Sequence, residues 1–142
     1  MSKHSSNALT KRWAESNGFF CETVERFYGG KRHDLFGFVD SILLFDGAVV
    51  FIQNCSYGTL KSHRDAISAH PLFPVVRACG LVELWEWRRR KVKRGGKRIA
   101  RQWWLRRQTS IAGGAGWAEP GAWIGPLDLY ARSPIAAGDD SP

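Results

Sequence analysis

The sequence lacks the closely spaced cysteine and histidine residues that bind structural zinc. It contains three cysteines and four histidines, and Cys21, Cys55 and Cys79 are too far apart to form a CxxC pair. The odd number of cysteines also argues against a disulfide framework. We therefore expect solitary thiols, with neither a zinc site nor disulfide bonds.

The sequence also has no apolar run of the roughly 18 to 20 residues that a bilayer-crossing helix requires. Its polar start, at residues 1–6, does not have the apolar stretch of a secretory signal. These absences predict a cytoplasmic protein that does not associate with a membrane.

The length and the apolar composition of the chain support one folded domain. The chain has 142 residues, of which 44% are hydrophobic and 13% aromatic, and this is enough to form a single core. From residue 109 onward Ala, Gly and Pro dominate. We predict a folded domain over residues 1–108 and a flexible C-terminal tail over 109–142.

Acidic residues are scarce relative to basic ones. The 21 Lys and Arg residues outnumber the 13 Asp and Glu residues, which gives a formal net charge of +8. Such a surplus attracts phosphates, although a basic run can also be a solvated loop. The candidate nucleic-acid-binding residues are Lys31, Arg32, Arg88, Arg89, Arg90, Lys91, Lys93, Arg94, Lys97, Arg98 and Arg101.

The apolar pattern predicts an α/β fold. Helices are expected at 8–15 and 60–70, and strands at 19–27, 35–45, 48–55, 81–89 and 99–108, with a basic loop at 91–97. The element order is therefore α-β-β-β-α-β-β. We expect a central mixed sheet flanked by helices.

Four tryptophans fall on the last two predicted strands. Trp85 and Trp87 belong to the first of these strands, and Trp103 and Trp104 to the second. Indoles in strands usually pack in the core or at an interface, which is the interpretation we favour. The alternative is an exposed platform on which bases stack.

The pair Asp46-Gly47 between two apolar runs indicates a two-residue hairpin turn. In that register Ile42 opposes Phe51, and Asp40 opposes Gln53. An acid on the apolar face of a strand needs a partner or a metal to offset its desolvation. Alternatively, Asp40 lies beyond the covered part of the sheet and bonds to a loop.

Asp34 lies shortly upstream of Asp40, next to His33. Two carboxylates can supply the oxygen ligands that Mg²⁺ prefers, and a basic surface on the same small domain would attract phosphates. These residues together predict a site that acts on a phosphodiester.

Two segments, KRHDLFGFVD at 31–40 and FIQNC at 51–55, with the hairpin between them, resemble the core of the PD-(D/E)XK nuclease superfamily. The closer likeness is to its small phage-type, Holliday-junction-resolvase-like members, and it covers roughly residues 8–108. It implies a restriction-endonuclease-like αβββαβ core. Asp40 matches the first Asp of the motif, Gln53 the second acid and Cys55 the lysine.

The chain departs from the motif at two positions, because an amide carries no charge and a neutral thiol cannot replace an ammonium group. Asp34 can restore the second carboxylate, and Lys61 can bring an amine. The resemblance thus implies catalytic residues Asp40, Gln53, Lys61 and Asp34. It implies a Mg²⁺ or Mn²⁺ site made by Asp40, Gln53 and Asp34. The superfamily's acid on the first helix is matched at best by Glu15.

The function implied is a metal-dependent, structure-selective DNA endonuclease located in the cytoplasm, which is the host's cytoplasm if the chain is phage-encoded. A homodimer would place two sites across a branched DNA. Two alternatives stay open. One is a degenerate nuclease fold that binds nucleic acid without cleaving it, and the other is a protein that uses its basic face against an acidic protein partner.

Overall fold

The computed structural model describes residues 5–94, 97–111, 116–127 and 129, with the backbone alone for 91–94 and 97–101. None of its helices has the length and apolar character needed to cross a membrane. The elements are α1 (Ser6–Ser16), β1 (Phe20–Thr23), β2 (Arg26–Tyr28), β3 (Lys31–His33), β4 (Ser41–Phe45), β5 (Ala48–Ser56), α2 (Leu60–Ser68), α3 (Phe73–Cys79), β6 (Leu81–Arg94), β7 (Lys97–Thr109) and β8 (Ile124–Leu127).

Six of the strands form one mixed sheet in the order β1-β4-β5-β6-β7-β8. β5 and β6 are parallel, and the other neighbours are antiparallel. A parallel pair needs a crossover connection, and α2 and α3 provide it. The predicted α/β class with a mixed central sheet is confirmed. β2 and β3 form a separate two-stranded sheet.

The hairpin between β4 and β5 has the predicted register. Asp46 and Gly47 both have positive φ, at 47° and 79°, as a type I′ turn requires. Phe45 pairs with Ala48, and Ile42 with Phe51. Just before β4, the Asp40 N–H donates to the Ile52 carbonyl over 2.8 Å. Local turn chemistry therefore sets the position of Asp40 along β5.

Alternation along the central strands divides the core into two layers. Ile52 faces α1 in one hydrophobic cluster with Trp85 and Trp87, whereas Phe51 and Cys55 face α2 and α3 in the other. Trp85 and Trp87 are fully buried, so they do not form a stacking platform. The favoured interpretation of these two indoles as core residues is confirmed. Trp103 and Trp104 are half-buried.

Three predictions of where strands begin and end were wrong. The single strand expected at 19–27 is divided between β1 and β2, which belong to different sheets. The strand expected from residue 35 begins at Ser41, because Phe36 and Gly37 bend the chain with φ of 57° and 88°. Most of the basic loop expected at 91–97 is strand, since a paired ladder satisfies backbone groups whatever the side chains are.

Part of the segment assigned to the C-terminal tail packs on the sheet. β8 pairs with β7, Leu129 is buried, and Trp117 stacks on Phe73 with ring centroids 5.4 Å apart. Apolar anchors spaced along a Gly- and Pro-rich chain are sufficient for this docking. Residues 112–115, 128 and 130–142 of the predicted tail lie outside the described residues.

A buried ion pair joins β6 to β7 on the α2 side of the sheet. Glu86 is 1% exposed. It accepts from Arg106 Nε and Nη2 at 3.0 and 2.7 Å and from the Gly58 N–H at 2.8 Å. The pair therefore also fixes the turn that leads into α2.

Removing the cation of this pair should destabilise the fold. We expect Arg106→Ala to lower the free energy of unfolding by about 2 kcal/mol, because Glu86 would remain buried without its counter-charge. Urea unfolding would measure the change. Arg64→Ala, which breaks the near-surface pair with Asp65, is the control and should cost less than about 0.5 kcal/mol. Equal effects of the two substitutions would contradict the prediction.

Candidate functional site

Asp40 and Gln53 meet side by side, as the register predicts. Gln53 Nε2 donates to Asp40 Oδ2 over 2.6 Å, and the Asn54 N–H donates to the same oxygen over 2.9 Å. Asp40 is 5% exposed, so it lies within the covered part of the sheet. The alternative position beyond that part is wrong.

A tight bend brings Asp34 to Asp40. Leu35 and Val39 form an isolated antiparallel bridge, in which each N–H donates to the other's carbonyl over 2.9 Å. The residues just outside this bridge, Asp34 and Asp40, are therefore opposed. Gly37 lies midway between them, and its positive φ suits the tight reversal.

A third acid, Glu25, completes the group. The Asp40 carbonyl accepts from the N–H groups of Val24 and Glu25 at 2.8 and 3.2 Å. One carboxylate oxygen from each of Glu25, Asp34 and Asp40 lies within 4.8 Å of the others. We call these three residues the acid cluster.

Glu25 is not among the residues predicted from the sequence, and Glu15, the acid matched there to the first helix, is exposed on α1. A signal was available in the Gly29-Gly30 turn. If β2 and β3 form a hairpin on that turn, Glu25 and Asp34 fall opposite each other at its base. The observed pairing of Arg26 with His33 matches this register.

Side chains from two elements hold the Glu25 carboxylate. Asn7 of α1 donates from Nδ2 to Oε2, and Arg32 of β3 places Nε 3.7 Å from Oε1. Glu25 is thus oriented by one neutral donor and partly neutralised by one cation. The Glu25 side chain is 14% exposed, so solvent screens its hydrogen bond to Asn7 only weakly, whereas Arg32 is 80% exposed and its ion pair with Glu25 is partly screened.

The surroundings of Asp40 favour its protonated form in the absence of a cation. Burial raises the pKa of Asp40 from 3.8 to about 8, with further contributions from the hydrogen bond and negative charge of Asp34. The Asn54 N–H acts in the opposite direction, and the charge of Glu25 adds to the rise. A carboxyl kept neutral in this way can exchange its proton for a metal cation.

Cys55, which the sequence resemblance matches to a lysine, cannot supply the charge of an ammonium group. The thiol is fully buried and donates to the Gln53 carbonyl over 3.7 Å. Burial, followed by the charge of Asp40, raises the pKa of Cys55 far above its usual range, so the thiol is neutral. Lys61, predicted as a replacement, is exposed on α2, and within the described part of the chain no hydrogen bond or ion pair joins it to the acid cluster.

A buried polar network connects α1 to the strand next to the acid cluster. Asn54 accepts from Thr10 Oγ1 at 2.5 Å and donates to Asn7 Oδ1 at 2.7 Å and to Ser41 Oγ at 3.1 Å. Trp87 Nε1 donates to Thr10 Oγ1 over 2.9 Å. The network continues from Asn7 to Glu25, so it supports one member of the acid cluster.

Predicted nucleic-acid-binding residues lie in two regions. Lys31 and Arg32 are exposed on β3, three and two residues before Asp34. On β6, the Arg88 guanidinium lies 4.4 Å from the Tyr57 ring centroid, and Arg89 and Arg90 are exposed. The structure does not describe the side chains of the other predicted binding residues, which are Lys91, Lys93, Arg94, Lys97, Arg98 and Arg101.

Comparisons with protein-family models, with curated proteins and with solved structures give no match to this chain.

Proposed function

We propose that this protein is a Mg²⁺- or Mn²⁺-dependent endonuclease that hydrolyses phosphodiester bonds in DNA, with a preference for branched structures. The observation that carries the proposal is the convergence of Glu25, Asp34 and Asp40 beside an exposed basic strand. The order of elements around them is compatible with a restriction-endonuclease-like core.

The donor set fits a hard divalent cation. The acid cluster offers three carboxylates, and Gln53, which donates to Asp40 through Nε2, has its carbonyl oxygen as a further ligand atom. Mg²⁺ and Mn²⁺ select oxygen ligands of this kind. A cation bound there would polarise the phosphate and lower the pKa of a bound water.

The protein's own side chains would then position the reacting groups. Gln53 and the Asn54 N–H orient Asp40 through its Oδ2 atom, and Asn7 orients Glu25. Arg32, on the same face of the hairpin as the acid cluster, would supply positive charge for the phosphate next to the one being cleaved, and Lys31 would add positive charge on the opposite face of β3. Neither the buried thiol of Cys55 nor the exposed Lys61 takes part in this arrangement.

The direct test incubates the purified protein with a labelled four-way junction and a matched linear duplex, each with Mg²⁺, Mn²⁺ or EDTA. We expect cleavage of the junction that requires the cation. If the protein is folded and binds DNA but neither cation produces cleavage, the endonuclease proposal is wrong.

Glu25→Gln tests the member of the acid cluster that was not predicted from the sequence. We expect the affinity for Mn²⁺ to fall about tenfold, because the charge of the ligand set controls the affinity of such sites. Calorimetric titration would measure the change. Glu22→Gln, which neutralises an exposed acid that pairs with Lys11, is the control and should leave the affinity unchanged. An unchanged affinity in Glu25→Gln would remove Glu25 from the site.

A second candidate function is nucleic-acid binding without cleavage. The neutral, buried Cys55 favours it, because the position where the superfamily has an ammonium group carries no charge. Binding that depends strongly on salt but is never followed by cleavage would support this function over the first.

A further inference from the structure

The β2–β3 hairpin stands apart from the main sheet. Within the described residues its two strands pair only with each other, and both Phe27 and Tyr28 are exposed, at 72% and 61%. A two-stranded ribbon contributes little to a core and is marginally stable alone. Large aromatic side chains at its exposed positions therefore need an explanation other than folding.

The hairpin joins the rest of the protein at the acid cluster, because Glu25 and Asp34 lie at its base. Arg26 pairs with His33 and Phe27 with Arg32, so Glu25 and Asp34 are the next opposed pair towards the protein. Side chains alternate along a strand. Phe27 and Arg32 therefore share a face with Glu25 and Asp34, about 7 Å further out along the hairpin. The contact between Arg32 and Glu25 agrees with this shared face.

The two faces of the hairpin differ in what their rings can contact. On the other face, the Tyr28 ring stacks on His33 with centroids 3.7 Å apart. On the acid-bearing face, Phe27 exposes most of its ring next to Arg32, whose side chain is 80% exposed. An exposed ring beside a guanidinium can bind a base and its phosphate together.

We propose that the β2–β3 hairpin is a substrate-positioning arm, in which Phe27 stacks on an unpaired DNA base and Arg32 binds the adjacent phosphate. Only one part of this proposal rests on the proposed function, namely that the bound nucleotide lies next to the bond that is cleaved. Inside a duplex both faces of a base are already stacked on neighbouring bases. An aromatic arm therefore selects DNA with splayed or unpaired nucleotides, such as a branch point.

Binding in EDTA tests the arm independently of cleavage. The whole 142-residue chain would be titrated with a splayed-arm DNA and with a duplex of equal length, and the fluorescence of 2-aminopurine at the branch point would report stacking. We expect Phe27→Ala to weaken binding of the splayed-arm DNA about tenfold and to abolish the fluorescence change, with duplex affinity altered less than about twofold.

Matched variants separate the arm from general effects. Phe20→Ala removes an equally exposed ring, 75% exposed on β1, and should leave both affinities unchanged, whereas Phe27→Trp should retain the preference for the splayed arm. Arg32→Ala should reduce the slope of log affinity against log salt by about one. Lys11→Ala, which removes a cation from α1, should not.

The proposal is overturned if Phe27→Ala leaves both affinities unchanged. It is also overturned if the substitution weakens both equally, which would indicate a groove contact with duplex DNA. These outcomes are distinct from failure of the endonuclease proposal. If the hairpin selects splayed DNA but the protein does not cleave, the arm proposal stands and the endonuclease proposal is wrong. If the protein cleaves DNA but Phe27→Ala has no effect on binding, the endonuclease proposal stands and the arm proposal is wrong.

Discussion

Asp40→Asn is expected to lower the rate of metal-dependent cleavage about 100-fold or more. The same substitution is expected to make the cation-free protein more stable than the wild type at pH 8. The two effects have one cause. Asp40 is buried beside two other acids, which is favourable when a cation is bound and unfavourable when it is not. An asparagine retains an oxygen that accepts from Gln53 and from the Asn54 N–H, but it carries no charge.

The pH dependence of stability follows from the raised pKa. In the folded protein Asp40 holds its proton up to about pH 8, whereas the unfolded chain releases it near 3.8. Between these values the folded state binds more protons. Stability of the cation-free protein therefore falls as pH rises, by up to about 1.4 kcal/mol per pH unit. Asp40→Asn should remove this slope.

Thermal unfolding from pH 5 to pH 9, with Mn²⁺ or EDTA, would measure both effects. In the wild type, Mn²⁺ should stabilise more at pH 8 than at pH 6, because binding requires the deprotonated acid. Asp46→Asn is the control, since it neutralises an exposed acid in a turn conformation that Asn tolerates. An Asp40→Asn protein that still cleaves DNA, or that is less stable than the wild type at pH 8, would contradict the prediction.

Asn54→Ala should lower the free energy of unfolding by about 3 kcal/mol. The substitution removes hydrogen bonds to Thr10, Asn7 and Ser41 and leaves buried polar groups without partners, each at a cost of roughly 1 to 3 kcal/mol. Its backbone N–H still donates to Asp40. Because Asn7 also holds Glu25, we expect the affinity for Mn²⁺ to fall as well.

Denaturant unfolding and metal titration would be measured on the same preparation. Asn17→Ala, at the exposed end of α1, is the control and should cost less than about 1 kcal/mol. If Asn54→Ala costs no more than the control, the network does not stabilise the packing of α1 on β5.

The hairpin that carries half of the site was predictable because its determinants are adjacent in the sequence. The Asp46-Gly47 turn permits one register, and that register opposes Asp40 to Gln53. The division of residues 19–45 was not predictable in the same way. Residues 19–24 and 35–45 are mostly apolar or β-branched, and each run favours a strand. Only the positive φ values at Phe36 and Gly37 reveal that the chain turns there rather than continuing as a strand.

The other half of the site depends on contacts between separate segments. Glu25 reaches Asp40 because the Asp40 carbonyl accepts two N–H groups from the chain after β1, and Asn7 arrives from α1. No periodicity in the sequence encodes such a meeting. The docking of β8 and Leu129 is similar, since a few apolar residues in a Gly- and Pro-rich segment have no regular pattern.

The sequence by itself determined the class of fold, the β4–β5 register and the pairing of Asp40 with Gln53, because turn chemistry and strand alternation act over a few residues. Tertiary structure alone decided that Glu25 meets Asp40, that Cys55 is a buried neutral thiol, and that Lys61 is exposed on α2. Those outcomes depend on desolvation and on hydrogen bonds between distant segments, and both exist only after the chain has packed.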